Sequence, residues 1–508
     1  MAILIDRELW GGMVGSPLDK NLENISDRAW LGIINNKLIP YYHGRKTKQV
    51  SKNLVVESSI FQFSRSLQRI AKRYPERFGQ LSLNFPEDVH PLYVKAILDA
   101  IALTEPDSNE KNKENWMPAS IETVNAVVEK FMKFDEQETV LSYCRLIGNR
   151  PAEFWPDQVL DRLIDLAIKH PDPLLGKLNV STPGKTIEEE SSKLLFQNTI
   201  NCVRGVAAET IGKLLWEHPA LLSKLRPAIE SLVKDNHPVV RMAAIYTLIP
   251  VLNIDRDQAV KWFIEASSLD LRIPASYFAI KFFQNTIRDY YKDLSPIIKC
   301  MINSQNEEVV KQGSQLVTAF FIFYGFFREE YFSCLNGTPL QRAGVAKVAA
   351  DLIGNKEYSQ KCQDILKQLI NDTDKDVMDE VSSMFGNSDF NLAENISLAI
   401  QFAHSKAFSE KSYFLINCLK DFKESLLPFS EVILEICNAI TSSSMEKTGI
   451  FQSRLRFVAQ EISSLLLRLY EQAQDIHMEI ADKCLDAWDI LFERHVGMTR
   501  ELTKAIEQ

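Results

Sequence analysis

A recurring pair of residues constrains the fold of this chain more than any other feature of its sequence. Six times, an aliphatic residue is followed four positions later by a small or β-branched residue. The first members of successive pairs are 37, 31, 39, 30 and 37 residues apart, close to the period of helical-hairpin repeats. The pairs are Val203/Ala207, Val240/Ala244, Leu271/Ala275, Val310/Ser314, Leu340/Gly344 and Val377/Val381.

A third position extends each pair into one face of a helix at i, i+4 and i+8. Small residues in the middle of that face let neighbouring helices approach closely, as stacked hairpins require. No stretch alternates with period two for long enough to indicate a sheet. The sequence therefore predicts an all-α fold, an α-α superhelix of antiparallel helix pairs. The third residues are Ile211, Leu248, Ala279, Thr318, Val348 and Phe385.

Breaks in the pattern predict four segments. Residues 1–53 form an irregular segment with one short helix, because glycines and a proline interrupt residues 11–17. Residues 54–190 form N-terminal helical hairpins that end in a long loop at 171–190, a stretch with three prolines and two glycines. Residues 191–386 form the repeat array, and residues 387–508 form C-terminal helical repeats or a cap.

Charge and cysteine usage restrict the partners and the compartment. The chain has 508 residues and a formal net charge of −9, so its surface as a whole repels nucleic acid and anionic lipid. A compact basic loop, with Arg45, Lys46 and Lys48, is interpreted as solvated, and nucleic-acid contact is its alternative. The eight cysteines include no CxxC pair, and residues 1–12 carry no secretory signal. We expect a cytoplasmic protein.

Two segments resemble the second helix of a HEAT repeat: residues 202–215 (CVRGVAAETIGKLL) and 238–252 (PVVRMAAIYTLIPVL). The turn before the second supplies the family's pattern through Asp235, Pro238, Val240 and Arg241. The resemblance implies a HEAT-like, right-handed solenoid over residues 191–386. Later repeats depart from it, and Pro274 lies where a helix interior or first turn belongs. HEAT signatures specify an architecture and carry no chemistry.

A second resemblance concerns residues 11–34 (GGMVGSPLDKNLENISDRAWLGII) and 73–81 (RYPERFGQL). They are similar to a segment in the helical C-terminal half of large bacterial STAND-type NTPases of antiphage defence. The resemblance implies that the chain is the ligand-sensing half alone or a split-gene partner. It also implies that the chain's own partner is an NTPase or effector subunit or a foreign protein.

The sequence contains no recognisable motif for catalysis, cofactor binding or metal binding. We therefore predict no catalytic, cofactor-binding or metal-binding residue. Residues 181–186 (STPGKT) end like a phosphate-binding loop. However, Gly176 lies eight positions before Gly184, where the loop requires five, and no strand is predicted before it. The eight histidines show no paired metal spacing, and no serine occupies a GxSxG elbow. Residues 316–327 (LVTAFFIFYGFF) are too few to cross a bilayer as a helix.

Two sets of side chains in the array are candidates for partner binding. Met242, Ile245, Tyr246 and Ile249 form either a second packing row or an apolar strip on the concave face. Arg204, Arg241 and Arg272 form either a structural ladder with Asp235 and Asp270 or a surface that contacts a ligand. The aromatic residues at 320–332 are interpreted as core, and any exposed subset of them would be an interaction site.

The sequence thus predicts a non-catalytic scaffold that binds a protein partner without a cofactor. One alternative is a nucleic-acid-binding solenoid like the HEAT-like DNA glycosylases, which needs a cationic concave face and a carboxylate beside stacked aromatics. Another is an enzyme adaptor such as a HEAT-type lyase, for which the sequence offers no site residues. The sequence does not predict an oligomeric state.

Overall fold

The described part of the protein is all-α, as predicted, apart from one small sheet near its N-terminus. The computed structural model describes residues 13–19, 22–41, 47–51, 54–107, 115–442 and 449–493. The chain divides into two compact units, unit 1 (residues 1–290) and unit 2 (residues 291–508). This boundary falls inside the predicted array of residues 191–386.

Unit 1 has thirteen α-helices among its described residues. A 3₁₀ turn at Leu22–Asn24 precedes the first helix, and two more lie between helices, at Ile187–Glu189 and Pro219–Leu221. The helices are α1 (Asp27–Ile34), α2 (Ile60–Arg73), α3 (Pro75–Ser82), α4 (Pro91–Ile101), α5 (Ile121–Phe131), α6 (Gln137–Asn149), α7 (Asp157–Lys169), α8 (Ser192–Thr199), α9 (Val203–Glu217), α10 (Leu222–Val233), α11 (Pro238–Val251), α12 (Arg256–Ser267) and α13 (Tyr277–Thr286).

These helices pack in two layers. Helices α2, α4, α6, α9, α11 and α13 contact one another in that order, while α7, α10 and α12 do so in the second layer. Consecutive helices joined by short turns, such as α11 and α12, pack against each other and link the layers. Helices α9 and α11 are contacted by helices of their own layer and of the second layer. Most of their circumference is therefore buried, and it carries apolar residues. This is the stacked-hairpin architecture that the repeat pattern predicts.

Two strands of a three-stranded sheet lie in the segment that the sequence predicts to be irregular, and the third follows directly after it. The strands are β1 (Met13–Gly15), β2 (Thr47–Ser51) and β3 (Leu54–Glu57), in the order β1-β3-β2. Strand β3 pairs parallel with β1 and antiparallel with β2. Strands of three to five residues are too short for a period of two to stand out in the sequence.

Unit 2 has twelve α-helices among its described residues. Three 3₁₀ turns connect some of them, at Ser383–Gly386, Leu392–Asn395 and Leu427–Phe429. The helices are α14 (Tyr291–Ile302), α15 (Glu307–Tyr324), α16 (Arg328–Leu335), α17 (Pro339–Leu352), α18 (Ser359–Leu369), α19 (Lys375–Ser382), α20 (Ile396–Ala403), α21 (Lys406–Lys411), α22 (Tyr413–Asp421), α23 (Ser430–Ser442), α24 (Gly449–Ala473) and α25 (Met478–Glu493).

Unit 2 repeats the two-layer arrangement. Helices α15, α17 and α19 pack in order in one layer, and α18, α20, α23 and α25 pack in order in the other. Gly344 in α17 lies against α15 so closely that a Cβ atom there would be 2.6 Å from the Lys311 carbonyl oxygen. The predicted small residue at this position therefore permits close contact between the helices.

Five of the six predicted pairs begin on repeat helices, namely those in α9, α11, α15, α17 and α19. The pair Leu271/Ala275 does not, and its assignment to a helix is wrong. Both residues lie in a turn, and α13 begins only at Tyr277. Pro274 explains the difference, because proline disfavours the helical conformation in the residue before it.

The apolar core encloses most of the cysteines. Cys144, Cys202, Cys334, Cys362, Cys437 and Cys484 are buried, Cys418 is half-buried and Cys300 is exposed. The predicted long aromatic segment belongs to α15 and to the turn after it. Among the described residues, no helix combines the length and the apolar character needed to cross a membrane.

Candidate functional site

The long loop of residues 171–190 is held against the repeat helices by two arginines and a histidine. Arg204 donates from Nη1 to Asp235 at 2.8 Å and from Nη2 to the carbonyl of Pro173 at 2.8 Å. At the start of α9, the backbone N–H of Val203 donates to the Asp172 carboxylate at 2.7 Å. The loop thereby caps the helix that carries the first repeat.

Arg272 makes the most extensive of these contacts. Its guanidinium donates to both carboxylate oxygens of Asp270, at 2.9 and 2.6 Å. Its Nη1 also reaches the carbonyls of Ile187, Glu188 and Glu190, at 2.5, 3.2 and 2.9 Å. The side chain is 9% exposed, so these protein groups replace water around the charge.

Arg241 and His237 complete the network. Arg241 donates to the carbonyl of Asp235 at 2.6 Å, and burial lowers the pKa of its guanidinium. The Nδ1 of His237 accepts from the N–H of Val239 at 3.2 Å, so its Nε2 carries the proton donated to the Lys177 carbonyl at 3.0 Å. Burial lowers the pKa of this imidazole. All three arginines are thus engaged by groups of the protein itself.

An apolar cleft, the unit 1 cleft, opens beside this network between helices α8, α9, α11 and α13. Its cavity has a volume of about 190 Å³. Exposed side chains lie at its edge, since Ile200 is 50% exposed and the neighbouring Tyr277 is 59% exposed. The lining residues are Phe196, Thr199, Ile200, Gly205, Glu209, Met242, Ala243, Tyr246 and Phe278.

Three aromatic rings shape one wall of the cleft. Phe278 contacts Phe196 with ring centroids 5.6 Å apart, and Tyr246 edge-on at 4.8 Å. The ring of Tyr246 lies over Gly212, where a Cβ atom would be 2.8 Å from it. Burial raises the pKa of the Tyr246 phenol, and the nearby Glu209 carboxylate adds to the shift. The phenol is therefore a neutral hydrogen-bonding group beside an apolar surface.

The structure separates the predicted partner-binding residues into two groups. Met242 is 1% exposed and Ile245 is fully buried, which agrees with the packing-row alternative, although Met242 also lines the cleft. Helices pack on both sides of α11, which buries them. Tyr246 and Ile249 are half-buried, and Tyr246 lines the cleft.

The predicted basic loop is only partly described. Arg45 and Lys46 lie outside the described residues, and Lys48 belongs to strand β2. Its interpretation as a solvated loop or a nucleic-acid contact stays a prediction.

Sequence reasoning missed Phe196, Ile200 and Phe278. Phe196 lies in α8, Ile200 directly follows that helix, and Phe278 lies in α13. Neither helix contains one of the predicted residue pairs. One signal was present, because Ile200 and Tyr277 are large apolar residues beside helix ends, where core packing does not require them.

Unit 2 carries a second apolar surface, an aromatic cluster around the turn between α15 and α16. Tyr324 is 43% exposed and Phe332 is 46% exposed. They are therefore the exposed subset of the aromatic residues at 320–332 that the sequence predicts to be an interaction site. Gly325 ends α15 in the left-handed conformation, and Phe327 follows with φ 56° and its side chain buried. The turn thereby presents Tyr324 outward while Phe327 packs inward against Tyr291.

Two observations on the described residues concern metal binding and thiol reactivity. No three His, Cys, Asp or Glu side chains among these residues are grouped to hold a metal ion. Burial raises the pKa of the thiols of Cys144 and Cys202 to about 12 in each case, which suppresses the nucleophilic thiolate.

Comparisons with known proteins add a distant likeness. No family model matches the chain, and no curated protein matches it. Among solved structures, it is similar to a chain described in "Structure of the Pds5-Scc1 complex and implications for cohesin function". The identity is 13%, the match covers 86% of this chain and 69% of that chain, and the TM-score is 0.27. The assignment of the fold rests on the helix layers within each unit.

Proposed function

We propose that this chain is a non-catalytic helical-repeat scaffold, and that the unit 1 cleft binds a protein partner by receiving one bulky apolar side chain. The observation that carries the proposal is an open apolar cleft, walled by aromatic rings, on an otherwise well-packed repeat. Aromatic residues are enriched where interfaces concentrate their binding energy.

The size of the cleft favours a protein over a small molecule. Pockets for drug-sized ligands have volumes of about 300 to 1,000 Å³. The unit 1 cleft, at about 190 Å³, is smaller and suits a single side chain such as leucine, methionine or phenylalanine. The exposed Ile200 and Tyr277 extend the apolar surface beyond the cleft, where flanking residues of a partner would pack.

The edge of the cleft also supplies polar groups. Glu209 lines it and forms an ion pair with Lys213 at 2.7 Å. Together with the Tyr246 phenol, these groups provide a donor and acceptors beside the apolar floor. A polar edge around an apolar centre is the usual anatomy of a protein interface.

Selection of peptides on the full-length protein tests the proposal. A displayed random peptide library should yield sequences with one invariant large apolar residue. Their binding should weaken about tenfold or more on Ile200→Asp, because the new carboxylate loses water when a peptide binds. Ile200 is half exposed, so the variant should keep its melting temperature.

Met117→Asp is the matched control, since Met117 is 75% exposed and does not line the cleft. Equal binding of the selected peptides to Ile200→Asp and to the wild type would reject the cleft as the site. Tight binding of duplex DNA, unaffected by Ile200→Asp, would favour the nucleic-acid alternative instead.

We infer a narrower role, sensing within an antiphage NTPase system, from the N-terminal resemblance. One observation supports treating its two segments as a single element. Arg73 pairs with Glu23 at 3.0 Å, Arg77 pairs with Asp27 at 2.6 Å, and Trp30 packs edge-on against Phe78. Purification from native cells should co-isolate an NTPase, and Arg77→Glu should reduce its yield. If no NTPase is recovered, the sensor role is rejected while the cleft proposal stands.

A further inference from the structure

A groove runs along the surface of unit 2 between α23 and α25, which are neighbours in the same layer. Its cavity has a volume of about 600 Å³. It spans residues 480–490 of α25, a length of about 15 Å at 1.5 Å per residue. The lining residues are Ser430, Glu431, Leu434, Glu435, Asn438, Ile480, Lys483, Asp486, Ala487 and Ile490.

The floor of the groove is apolar. It consists of Leu434 from α23 and of Ile480, Ala487 and Ile490 from α25. Ile490 is 40% exposed, although a leucine or isoleucine on a surface helix is more often turned toward the core. The groove therefore leaves apolar surface in water that a partner would cover.

The walls of the groove are acidic. Glu431 and Glu435 come from α23, and Asp486 comes from α25. The single lining cation, Lys483, forms an ion pair with Glu479 at 2.7 Å. Helix α25 as a whole carries five carboxylates against that one lysine: Glu479, Asp482, Asp486, Asp489 and Glu493.

From these features we propose that the groove binds a basic amphipathic helix of a protein partner. Apolar residues of that helix would cover Leu434 and Ile490, and its lysines or arginines would face Glu431 and Asp486. Helices that lie in grooves are recognised through such apolar anchors at i, i+3, i+4 and i+7. The groove length matches about three helical turns.

Two other occupants fit the groove less well. An extended peptide gains affinity by adding to a sheet edge, whereas both walls here are helices whose backbone groups bond internally. Nucleic acid presents phosphates, which these carboxylates repel. This inference does not depend on the unit 1 cleft, because every residue that carries it belongs to unit 2.

The test uses a fluorescent model helix with leucines along one face and lysines on both flanks. We expect it to bind the full-length protein, with fluorescence anisotropy as the readout, and to weaken as salt rises from 50 to 300 mM. Two peptides serve as comparisons: a scrambled sequence of the same composition and a version with glutamates in place of the lysines. Neither should bind, since one lacks the apolar face and the other the positive charge.

Charge reversal locates the site. The double variant Glu431→Lys with Asp486→Lys should weaken binding about tenfold or more, a change of ~1.4 kcal/mol. The matched control, Asp482→Lys with Asp489→Lys, changes the net charge by the same amount on exposed residues of α25 that do not line the groove. It should weaken binding less than about threefold, because solvent screens charges outside the interface.

A third variant tests the apolar floor. Ile490→Asp should also weaken binding about tenfold, since the new carboxylate would be desolvated under the helix. Equal losses in the two charge-reversal variants, or equal binding of the scrambled peptide, would show general charge attraction and overturn the proposal. So would the absence of model-helix binding at up to about 100 µM. Circular dichroism of each variant separates loss of binding from loss of fold.

Discussion

The repeats of unit 1 and those of unit 2 follow one sequence pattern and share close helix packing, but the repeats of unit 1 also hold a long loop through buried charge. In unit 1, charged side chains connect α9 and the turn before α13 to the long loop, with Arg272 bound to one carboxylate and three carbonyls. In unit 2, α15 and α17 meet through backbone contact at Gly344, and Arg342 is bound to Asp372 in the adjacent turn.

The comparison shows that a HEAT-like pattern specifies which helices stack. It does not specify whether buried ion pairs or close backbone packing stabilise their contacts. A buried charge requires every partner to be present, because one unpaired group in the interior is costly. Close helix packing requires only that a side chain be absent, and any added atom must displace a neighbour. The two kinds of contact should therefore respond to different substitutions.

The largest effect is expected from Arg272→Ala in unit 1. It removes the guanidinium from the Asp270 carboxylate, which keeps only the backbone N–H of residue 272 as a donor, and it takes the same guanidinium from three loop carbonyls. The free energy of unfolding should therefore fall by about 3 to 5 kcal/mol. Hydrogen exchange should accelerate most at residues 187–190. The measurements are denaturant unfolding and exchange mass spectrometry of the full chain.

Arg342→Ala is the comparison variant in unit 2. Arg342 pairs with Asp372 and donates to the Gly337 carbonyl, but it holds no long loop and is more exposed. Its loss should cost about 1 to 2 kcal/mol. Equal losses for the two variants would contradict the special role assigned to the Arg272 network.

An intermediate effect is expected from Gly344→Ala in unit 2. The new methyl group would lie 2.6 Å from the Lys311 carbonyl oxygen and 2.8 Å from the Ser314 Cβ atom, so α15 and α17 must separate. Overpacking of this kind costs about 1 to 3 kcal/mol. Gly32→Ala provides the control in a helix, since no atom lies within 4 Å of its Cβ position, and it should stabilise by about 0.5 to 1 kcal/mol.

The smallest effect is the pH dependence that His237 contributes to the stability of unit 1. Burial lowers the pKa of His237 in the folded state, whereas the unfolded chain takes up a proton near the usual value of 6.5. Stability from the neutral ring is therefore complete above pH 6.5 and is lost as the pH falls through the lower, folded-state pKa. Protonation would also place a third cation beside Arg204 and Arg241, next to Asp235.

His237→Gln isolates this contribution from those of His90 and His170, whose pKa values burial also lowers. The difference in stability between wild type and variant should shrink below pH 6.5. In the variant, the protection of residues 171–190 against hydrogen exchange, relative to the intrinsic rate, should depend less on pH than in the wild type. An unchanged difference across that range would mean that His237 does not couple the loop to pH.

The sequence predicted the repeat helices well because their signal is local. Residues four and eight positions apart meet on one helix face, whatever lies elsewhere in the chain. Leu271/Ala275 matched the same spacing by composition alone, and only the conformational effect of Pro274 separates that turn from a helix. The three strands were too short to produce any comparable signal.

The unit 1 cleft could not be predicted in this way, because it joins residues that are distant in the sequence. Phe196 and Phe278 meet only once α8 and α13 are placed beside α11. Periodicity also could not show that Met242 and Ile245 are buried. The sequence pattern of an apolar residue off the main packing face is the same whether or not other helices cover that residue. Of the predicted strip, Tyr246 combines partial exposure with a place in the cleft wall.

The distribution of thiols offers a practical consequence. Burial raises the pKa of the Cys437 and Cys362 thiols to about 12 in each case, so these groups are poor nucleophiles as well as inaccessible. Cys300, by contrast, is exposed near the end of α14. A maleimide dye should therefore attach first at Cys300, ahead of the half-buried Cys418, whose pKa burial raises to about 11. Brief labelling of the natural sequence would thus give single-molecule or fluorescence-quenching studies a reporter without any engineered substitution.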